Sequence, residues 1–304
     1  MKTDYSRREF LTQAGGTLLA SMMIPTALAA AEAAVIAPKA AGKKAIMWDT
    51  IGVKGSILEK FQAVKAAGYD GVEMASHLNR EEVLKAREAT GLIIPSVCGS
   101  QHWGKPLSHP DAAVRAEGLE ALKHTLQDAK AYGASSILLV PGTVNAKVTY
   151  TECWERSVAE IRKALPMAEE CGVKIAIENV WNNFLLSPIE AARYVDEFKS
   201  PFVGWHFDVG NILIYGWPEQ WIRILGPRIQ KIHLKEFSRK KCDSEGRWKG
   251  FDVAFLEGDD NWPEVMKALR DINYPGWYIT EQGGGDTPAG LKEMVSRVEK
   301  ILAS

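Results

Sequence analysis

The sequence predicts an α/β fold built as a single (β/α)8 barrel, a TIM barrel, over residues 43–304. Eight short runs of apolar and β-branched residues alternate with segments of helical periodicity, which is typical of parallel strands buried on both faces. Eight such units in about 260 residues favour a closed barrel over an open doubly wound sheet. No glycine-rich phosphate fingerprint follows the first run, which counts against a dinucleotide-binding fold.

The predicted strands follow one another with a helical segment between each pair. In the first of these segments, Ile57, Phe61 and Val64 recur at the spacing of one helix face. Several segments end in glycine, as in "KAAG", "AKAYG" and "EECG", which is typical of helix C-termini. The eight strand runs are "AIMWDTI", "GVEMAS", "IIPSVCG", "SILLVPG", "KIAIENV", "VGWHFDV", "KIHLKEF" and "WYITEQ".

A long segment, residues 238–261, lies between the seventh and eighth predicted strands. Connections of this length are usually active-site lids or disordered segments. The aromatic residues and glycines of residues 238–261 favour a partly ordered lid.

Charge and cysteine content exclude some classes of protein. The chain has 37 Lys+Arg and 38 Asp+Glu, a formal net charge of −1, and no long basic block, so we expect no nucleic-acid partner. The four cysteines lack a CxxC spacing, so they form neither a zinc knuckle nor a small disulfide framework. We expect buried or half-buried thiols.

The N-terminus has the parts of an export signal. Lys2, Arg7 and Arg8 form a positively charged start, and residues 11–31 are small and apolar. The stretch "SRREFLTQAGG" resembles a twin-arginine signal, and Ala27-Leu28-Ala29 offers a cleavage site. The alternatives are a membrane anchor and an accidentally basic N-terminus.

These features predict three segments: a signal peptide at 1–30, cleaved near Ala29, a linker at 31–42 and the barrel at 43–304. The predicted partner is the twin-arginine export machinery, and the predicted location is the periplasm or the medium. No other stretch is long and apolar enough to span a bilayer, so we expect no stable membrane insertion of the mature chain. A homo-oligomer is compatible with the sequence, but no segment identifies its interface.

Four consecutive predicted strands each present an ionisable residue near the C-terminal end, where the working residues of such barrels lie. Three carboxylates brought together repel one another and raise one another's pKa, and a divalent cation removes that penalty. Oxygen ligands with one imidazole suit Mn²⁺ or Mg²⁺, with Co²⁺ or Zn²⁺ tolerated. The alternative is a set of surface acids beside a core histidine. These four residues, called the ligand set below, are Glu178, Asp208, His233 and Glu281.

Further polar and aromatic residues near strand ends are candidates for substrate contact. His102 and Trp103 offer a hydrogen bond and an apolar face to a sugar, and Trp181 offers the same kind of face. His206 is a candidate second-shell partner or substrate contact, with a packed barrel histidine as the alternative. Arg239 is a candidate contact for a substrate oxyanion, or a solvated loop arginine.

Two other charged positions have both structural and functional interpretations. Lys235 and Glu236 are candidates for an ion pair at the barrel rim. Glu73 ends the second predicted strand and is a candidate either for contact with a ligand hydroxyl or for a structural ion pair.

Several motifs resemble the sugar-phosphate isomerase/epimerase family of the xylose-isomerase-like TIM barrels, related to ketose 3-epimerases. The resemblance covers nearly the whole chain from Lys43 onward and implies one Mn²⁺-type ion held by the ligand set. It also implies that Glu178 and Glu281 transfer protons on opposite faces of the substrate and that Arg239 contacts the substrate. The motifs are "AIENVWNN", "HFDVGN", "KIHLKEFSR", "ITEQ", "EGDDNW" and "SQHWGKPLSHPD".

Two positions depart from the pattern of ketohexose 3-epimerases. Phe184 stands where those enzymes have a glutamate, and Asn211, which we include among the candidate substrate contacts, stands where they have a histidine. Both differences count against ketohexose epimerisation itself.

The combined prediction is a divalent-metal-dependent sugar isomerase or epimerase. It would abstract a proton next to a carbonyl and form a metal-stabilised enediolate. Because an exported protein rarely meets sugar phosphates, we expect a free sugar or a keto-sugar as substrate. The alternatives are a lyase or dehydratase acting on a keto-sugar or keto-glycoside, and a non-catalytic sugar-binding protein. A barrel endonuclease is disfavoured, because the chain has only 6 histidines and a nearly neutral charge.

Overall fold

A computed structural model describes residues 42–304, so the predicted signal peptide and all but the last residue of the predicted linker lie outside the described residues. Eight parallel strands pair in chain order, and β8 pairs with β1 to close the barrel. This arrangement confirms the (β/α)8 prediction. The strands are β1 (Lys43–Met47), β2 (Gly71–Ala75), β3 (Ser96–Cys98), β4 (Ser136–Leu139), β5 (Lys174–Glu178), β6 (Val203–Asp208), β7 (Ile229–Leu234) and β8 (Trp277–Thr280).

Helices follow every strand in the described part of the chain. Two helices follow β7, because α7 lies inside the long predicted lid segment and α8 is the barrel helix of that unit. The helices are α1 (Ile57–Ala67), α2 (Arg80–Thr90), α3 (Ala112–Tyr132), α4 (Tyr150–Cys171), α5 (Pro188–Glu197), α6 (Pro218–Leu225), α7 (Arg239–Glu245), α8 (Trp262–Asp271) and α9 (Pro288–Ala303).

The helix boundaries follow from capping residues. Ser56 begins α1 with a capping box, in which its side chain accepts from the Glu59 amide and Glu59 reaches back to the Ser56 amide. Glycine ends α1, α3 and α4, as predicted, at Gly68, Gly133 and Gly172, with φ of 104°, 73° and 67°. Residues with a Cβ rarely adopt this left-handed backbone, which explains why glycine marks these ends.

The segment 238–261 is ordered by its own secondary structure and by anchors at both ends. It contains α7 and a 3₁₀ turn over Arg247–Phe251. The Arg239 amide donates to Asp259 Oδ2 at 2.7 Å, and the Phe237 amide donates to Asp260 Oδ2 at 2.7 Å. The segment therefore covers part of the barrel mouth as a folded unit.

Glu236 is one of these anchors, which corrects the predicted ion pair with Lys235. Its carboxylate accepts from the Leu256 amide at 2.7 Å, the Gly258 amide at 3.0 Å and Trp262 Nε1 at 2.7 Å. Glu236 and Lys235 are adjacent in an extended segment, so their side chains point to opposite sides of the strand. Glu236 therefore fixes the C-terminal part of the segment 238–261, whereas the side chain of Lys235 faces the barrel axis.

All four cysteines are free, as predicted: Cys98 and Cys153 are buried, and Cys171 and Cys242 are half-buried. Within residues 42–304, none of the helices has both the length and the apolar character that crossing a bilayer requires.

Candidate metal centre

The ligand set converges at the C-terminal end of the barrel. Glu178 and Asp208 are the last residues of β5 and β6, His233 lies near the end of β7, and Glu281 follows β8 directly. Strand register places Asp208 beside His233. One donor atom from each residue lies within 4.8 Å of the others. Four adjacent strands therefore bring three carboxylates and one imidazole into a single cluster.

His233 is held in place from two sides. Its Nε2 lies 2.6 Å from Glu73 Oε2, and both side chains are fully buried. Its Nδ1 faces the cluster, 3.0 Å from Glu178 Oε1 and 2.8 Å from Glu281 Oε2. If the Nε2–H group donates a hydrogen bond to Glu73, a neutral ring carries no proton on Nδ1, and the lone pair of Nδ1 points towards two carboxylate oxygens. That arrangement is stable only with a positive charge at Nδ1, either a proton or a cation.

Burial and charge act in opposite directions on the carboxylates. Burial raises the pKa of Glu178 and, more strongly, that of Asp208. Burial also opposes ionisation of Glu281, but Lys235 and His233 together outweigh it and hold the pKa of Glu281 well below its usual range. For Glu178 and Asp208, the neighbouring charges of His233 and Lys235 do not outweigh burial, so both carboxylates would gain from a further positive charge.

The pKa of His233 depends on the same two effects, burial and neighbouring charge. Burial alone lowers its pKa, but Glu73 and Glu281 outweigh burial and raise the pKa well above its usual range. A cation bound to the cluster would replace that proton as the counter-charge.

The cluster fits a divalent metal ion on its donor chemistry. Within the described residues, Glu281 Oε2 is buried and makes no well-formed hydrogen bond, although it lies 2.8 Å from His233 Nδ1. Such an orphaned carboxylate oxygen needs a partner of its own. Three carboxylates with one imidazole suit Mn²⁺ or Mg²⁺ better than the sulfur-rich sets that favour Zn²⁺. The Glu73 contact supplies the carboxylate–histidine support that metal-binding histidines usually have.

A cavity of about 300 Å³ opens beside the cluster. Glu178 and Glu281 line it, so both candidate proton-transfer groups face the space that a ligand would occupy. Four of the predicted substrate contacts, His102, Trp103, Trp181 and Asn211, also line it.

Hydrogen bonds hold two of these residues, Trp181 and Asn211, in place. Trp181 donates from Nε1 to the Asn211 carbonyl at 2.8 Å, and the Asn211 amide donates to Asp208 Oδ1 at 2.8 Å. The Asn211 backbone thus links an aromatic wall of the cavity to a ligand residue. His102 is half-buried, and burial lowers its pKa to about 4, so its ring is neutral near pH 7.

Two predicted substrate contacts lie outside the cavity lining. His206 is fully buried beneath His233, with ring centroids 4.1 Å apart, and its Nε2 lies 3.8 Å from Glu73 Oε1. Neither ring nitrogen of His206 has a hydrogen-bond partner within the described chain. This placement matches the alternative of a packed barrel histidine beside His233 and Glu73.

Arg239 begins α7 and points away from the cavity. Its guanidinium donates to the Leu213 carbonyl at 2.9 Å and to the Gly216 carbonyl at 2.8 Å. The guanidinium also stacks on Trp217, 5.6 Å from the ring centroid. In this arrangement Arg239 anchors the loop after β6 instead of facing a substrate.

Sequence reasoning missed the roles of Lys235 and Trp248. Lys235 Nζ lies 3.1 Å from Glu281 Oε1 and 3.4 Å from Asp208 Oδ2. Trp248, on the 3₁₀ turn after α7, lines the cavity. The position of Lys235 two residues after His233, on the same face of the strand, was an available signal, whereas the sequence offers no comparable signal for Trp248. Glu73 makes the structural pair that was one of its two predicted roles, but the sequence did not indicate that His233 is the partner.

Two other groups of histidines and carboxylates among the described residues lie outside the cavity lining: Glu73, His206 and His233, which shares His233 with the ligand set, and His77, His124 and Asp128. In the latter group, Arg80 pairs with Asp128 Oδ1 at 2.7 Å, and the rings of His77 and His124 stack 4.2 Å apart. Each of these groups has one carboxylate, whereas the ligand set has three, so the ligand set remains the candidate metal centre.

Comparison with known proteins agrees with this architecture. The profile of the xylose isomerase-like TIM barrel family matches residues 61–301. The L-ribulose-5-phosphate 3-epimerase UlaE of Escherichia coli strain K12 is 29% identical over 238 residues, which cover 74% of this chain and 81% of that protein. UlaE of Escherichia coli O1:K1 / APEC is 28% identical over 238 residues, with the same coverage of 74% and 81%.

Solved structures share the fold at lower identity. A D-psicose 3-epimerase crystallised in the presence of D-fructose is 22% identical, with a TM-score of 0.69 over 86% of this chain and 97% of that one. The 3-keto-D-glucoside 4-epimerase of E. coli is 18% identical, with a TM-score of 0.73 over 86% of this chain and 100% of that one. The chain belongs to the xylose isomerase-like TIM barrel family, and its relatives include sugar epimerases.

Proposed function

We propose that the protein is a divalent-metal-dependent sugar isomerase or epimerase that abstracts a proton next to a substrate carbonyl. One observation carries the proposal: Glu178 and Glu281 belong to a four-residue cluster suited to a metal ion and also line the adjoining cavity. A sugar in this cavity would meet both carboxylates. Mn²⁺ is the proposed ion, with Mg²⁺, Co²⁺ and Zn²⁺ as alternatives.

The two glutamates would have complementary roles. Bound to the ligand set, a divalent ion supplies a Lewis acid that acidifies the C–H bond beside a carbonyl. Lys235 Nζ lies 3.1 Å from Glu281 Oε1, which favours the ionised form of Glu281 as the proton acceptor. Burial alone raises the pKa of Glu178, and a bound ion would oppose that rise, so the return of the proton by Glu178 rests on its place at the other end of the cluster. Glu178 ends β5 and Glu281 follows β8, the first and last strands that carry the ligand set, so the two glutamates would approach a substrate from different sides.

The cavity favours a non-phosphorylated substrate. Among the described residues, Lys235 is the only lysine or arginine that lines it, and Lys235 Nζ already pairs with Asp208 and Glu281. Asp49 adds a further carboxylate to the lining. Apart from the proposed metal ion, a phosphate dianion would therefore meet several carboxylates and no unpaired lysine or arginine in the cavity lining. UlaE is by name an epimerase of L-ribulose 5-phosphate, so we propose that this chain differs from it in substrate charge.

Export forms a separate part of the proposal and rests on residues outside the described range. The proposed route is the twin-arginine machinery, read from Arg7 and Arg8, with cleavage near Ala29. The barrel would load its metal and fold before crossing the membrane. Replacing both arginines with lysine should leave the uncleaved chain in the cytoplasm. A periplasmic fraction unchanged by that replacement contradicts the route.

Proton exchange tests the catalytic proposal directly. We would incubate the Mn²⁺-loaded protein in D₂O with free ketoses, aldoses and keto-glycosides and follow each sugar by proton NMR. We expect deuterium beside the carbonyl of at least one sugar, lost in Glu281→Gln. Glu293→Gln is the matched control, because Glu293 is an exposed glutamate on α9 that pairs with Arg297.

The outcomes of this experiment distinguish an isomerase or epimerase from a lyase and from a binding protein. An isomer of unchanged mass supports the isomerase or epimerase, whereas loss of water or a released fragment supports the lyase alternative. Sugars that bind without exchange, with the same affinity in Glu281→Gln, would overturn catalysis in favour of a binding protein.

A further inference from the structure

We propose that Asp49 selects substrates by charge: its carboxylate accepts hydrogen bonds from sugar hydroxyls and excludes sugars that carry a carboxylate or a phosphate. This inference rests on the proposed function and assigns a specificity-determining residue to the cavity beside the ligand set. Asp49 lies outside the ligand set, so it would contact the part of the sugar away from the metal ion.

Asp49 lies in a short turn directly after β1. The turn is a 3₁₀ helix over Trp48–Thr50. β1 pairs with β8, with Ile46 beside Thr280, so the turn follows the strand next to the one that carries Glu281. Asp49 and Glu281 both line the cavity. The fold therefore places Asp49 on the cavity wall, next to the β8 end of the ligand set.

Hydrogen bonds fix the turn that carries Asp49. Thr50 Oγ1 donates to the Met47 carbonyl at 2.9 Å. The Gly52 amide donates to the Gly285 carbonyl, in the loop after β8, at 3.1 Å. These bonds hold the backbone around Asp49, so its carboxylate would meet a substrate from a defined position.

The Asp49 side chain has no partner of its own. It is exposed, and among the described residues its carboxylate makes no hydrogen bond and no ion pair. Lys60 attracts it, but Lys60 Nζ donates to the Ile51 carbonyl at 2.9 Å and lies over the Trp48 ring, 4.8 Å from the centroid. An ionised carboxylate accepts hydrogen bonds and donates none, so a ligand with hydroxyl donors can supply the missing partner.

The proposed metal centre leaves the charge of Asp49 unbalanced. The ligand set has three carboxylates, and a divalent ion together with Lys235 supplies three positive charges beside them. The other two carboxylates of the cavity lining, Glu178 and Glu281, belong to that balanced group. Asp49 adds a negative charge that no residue of the described lining offsets. An anionic sugar would meet repulsion there, whereas a hydroxyl would meet an acceptor.

Two ketoses that differ at one carbon test this inference. D-fructuronate is D-fructose with carbon 6 oxidised to a carboxylate, so the two probes share the ketone and differ in charge at the far end of the chain. We would measure the dissociation constant of each by titration calorimetry with the Mn²⁺-loaded protein at about pH 7.5. Burial raises the pKa of Asp49, and this pH lies well above the ordinary range of a carboxyl group. We expect D-fructuronate to bind about tenfold or more weakly than D-fructose.

Asp49→Asn assigns that difference to Asp49. Asparagine has the same shape and still accepts a hydrogen bond, so the affinity for D-fructose should stay within about threefold, while the difference between the probes falls below about threefold. Any contact of the acid with the metal ion is common to both proteins, so their comparison isolates the charge of Asp49.

Asp243→Asn is the matched control. Asp243 is also exposed and unpaired among the described residues, but it lies on α7 and outside the cavity lining. This variant should keep the full difference between the probes. Thermal melting shows whether each variant keeps the fold.

The outcomes separate this inference from the proposed function. Equal affinities for the two probes in the unmodified protein, or a difference that survives in Asp49→Asn, overturn the role of Asp49. Failure of both probes to bind also overturns it, because no sugar hydroxyl then reaches Asp49 as proposed. In each case, deuterium exchange with any sugar of the panel leaves the proposed function standing, whereas absence of exchange with every sugar overturns the proposed function.

Discussion

The two halves of the barrel mouth differ in chemistry. The strands β5 to β8 contribute the ligand set and Lys235, all ionisable and all within one charged network. The strands β1 to β4 contribute mostly neutral lining, including Met47, Cys98, His102 and Trp103. Asp49 is the exception, and burial raises its pKa despite the attraction of Lys60.

Under the proposed function, the difference would separate metal binding by β5 to β8 from part of the substrate contact made by β1 to β4. A metal ion needs ligands a few ångströms apart, and only neighbouring strand ends bring side chains that close. The cavity-lining residues of the opposite half lie outside the ligand set, so under the proposed function they would be available for substrate contact.

One residue crosses this division. Glu73 belongs to β2, in the neutral half, yet its carboxylate reaches His233 of β7 below the cavity. Ser96 of β3 donates to the other oxygen of Glu73. The neutral half therefore supports the charged half from beneath, where side chains of all strands meet at the barrel axis.

Metal removal is the strongest test of the charged half. A chelator should reduce proton exchange by about a thousandfold or more and lower the melting temperature, because the clustered carboxylates lose their counter-charge. Adding Mn²⁺ should restore both. The control is Asp208→Asn, whose melting temperature should respond little to the chelator. An unchanged exchange rate in a protein shown to be metal-free by elemental analysis contradicts the metal centre.

Glu73→Gln tests the contact between Glu73 of β2 and His233 of β7, which connects the two halves of the barrel. The variant keeps the size of the side chain but loses the charge facing His233 Nε2, so we expect metal affinity to fall by about 10- to 100-fold. Titration calorimetry with Mn²⁺ measures this loss, and excess Mn²⁺ should recover most of the exchange rate.

Glu160→Gln is the matched control for that variant. Glu160 is also buried and charge-paired, with Arg115 and Lys163, but lies on α4. Its metal affinity should equal that of the unmodified protein. Equal losses in the two variants would show that Glu73 acts on general stability and not through His233.

The fold was predictable because its signals are local. Gly68 and the other helix-ending glycines identify their helices within a few residues, and each strand is a continuous apolar run. The ligand set was predictable for a related reason. The barrel brings successive strand ends together, so four ionisable residues at consecutive ends imply one cluster.

The missed features depend on contacts between distant parts of the chain. Glu73 and His233 are 160 positions apart, and a lone carboxylate at a strand end is equally consistent with a solvated side chain. The path of the loop after β6 decides the partners of Arg239, because only that path brings the Leu213 and Gly216 carbonyls to its guanidinium. Neither contact has a periodic or spacing signal in the sequence.

Arg239→Lys distinguishes a loop anchor from a substrate contact. Lysine lacks the rigid planar fork whose Nε and Nη2 reach the two carbonyls, and it lacks the flat guanidinium that stacks on Trp217, so we expect a loss of about 2 kcal/mol in the free energy of unfolding. The exchange kcat/KM should stay within about fivefold. Arg223→Lys is the control, because its exposed pairing with Asp271 should contribute less than about 1 kcal/mol. A large rise in KM with unchanged stability would instead place Arg239 on the substrate.

His102 tests whether the neutral half stays uncharged in acid. Burial lowers its pKa from 6.5 to about 4, so between these values the unfolded chain binds more protons than the folded one. Stability therefore falls as pH drops from about 6.5 to 4, and this contribution is constant outside that window. Because one side of the half-buried His102 ring is open to solvent, we expect the free energy of unfolding to fall by only about 1.5 kcal/mol over this pH range.

His102→Gln should remove that part of the pH dependence, since glutamine can still accept from the Val140 amide, as His102 Nδ1 does at 3.4 Å. Urea unfolding at pH 7, 5.5 and 4.5 measures the difference between the two proteins, with His109→Gln, from the same loop, as the control. If the free energy of unfolding changed with pH equally in the unmodified protein, His102→Gln and His109→Gln, then His102 would protonate as freely in the folded chain as in the unfolded one. The β3 wall would then acquire a positive charge in acid, and the contrast between the two halves would hold only near neutral pH.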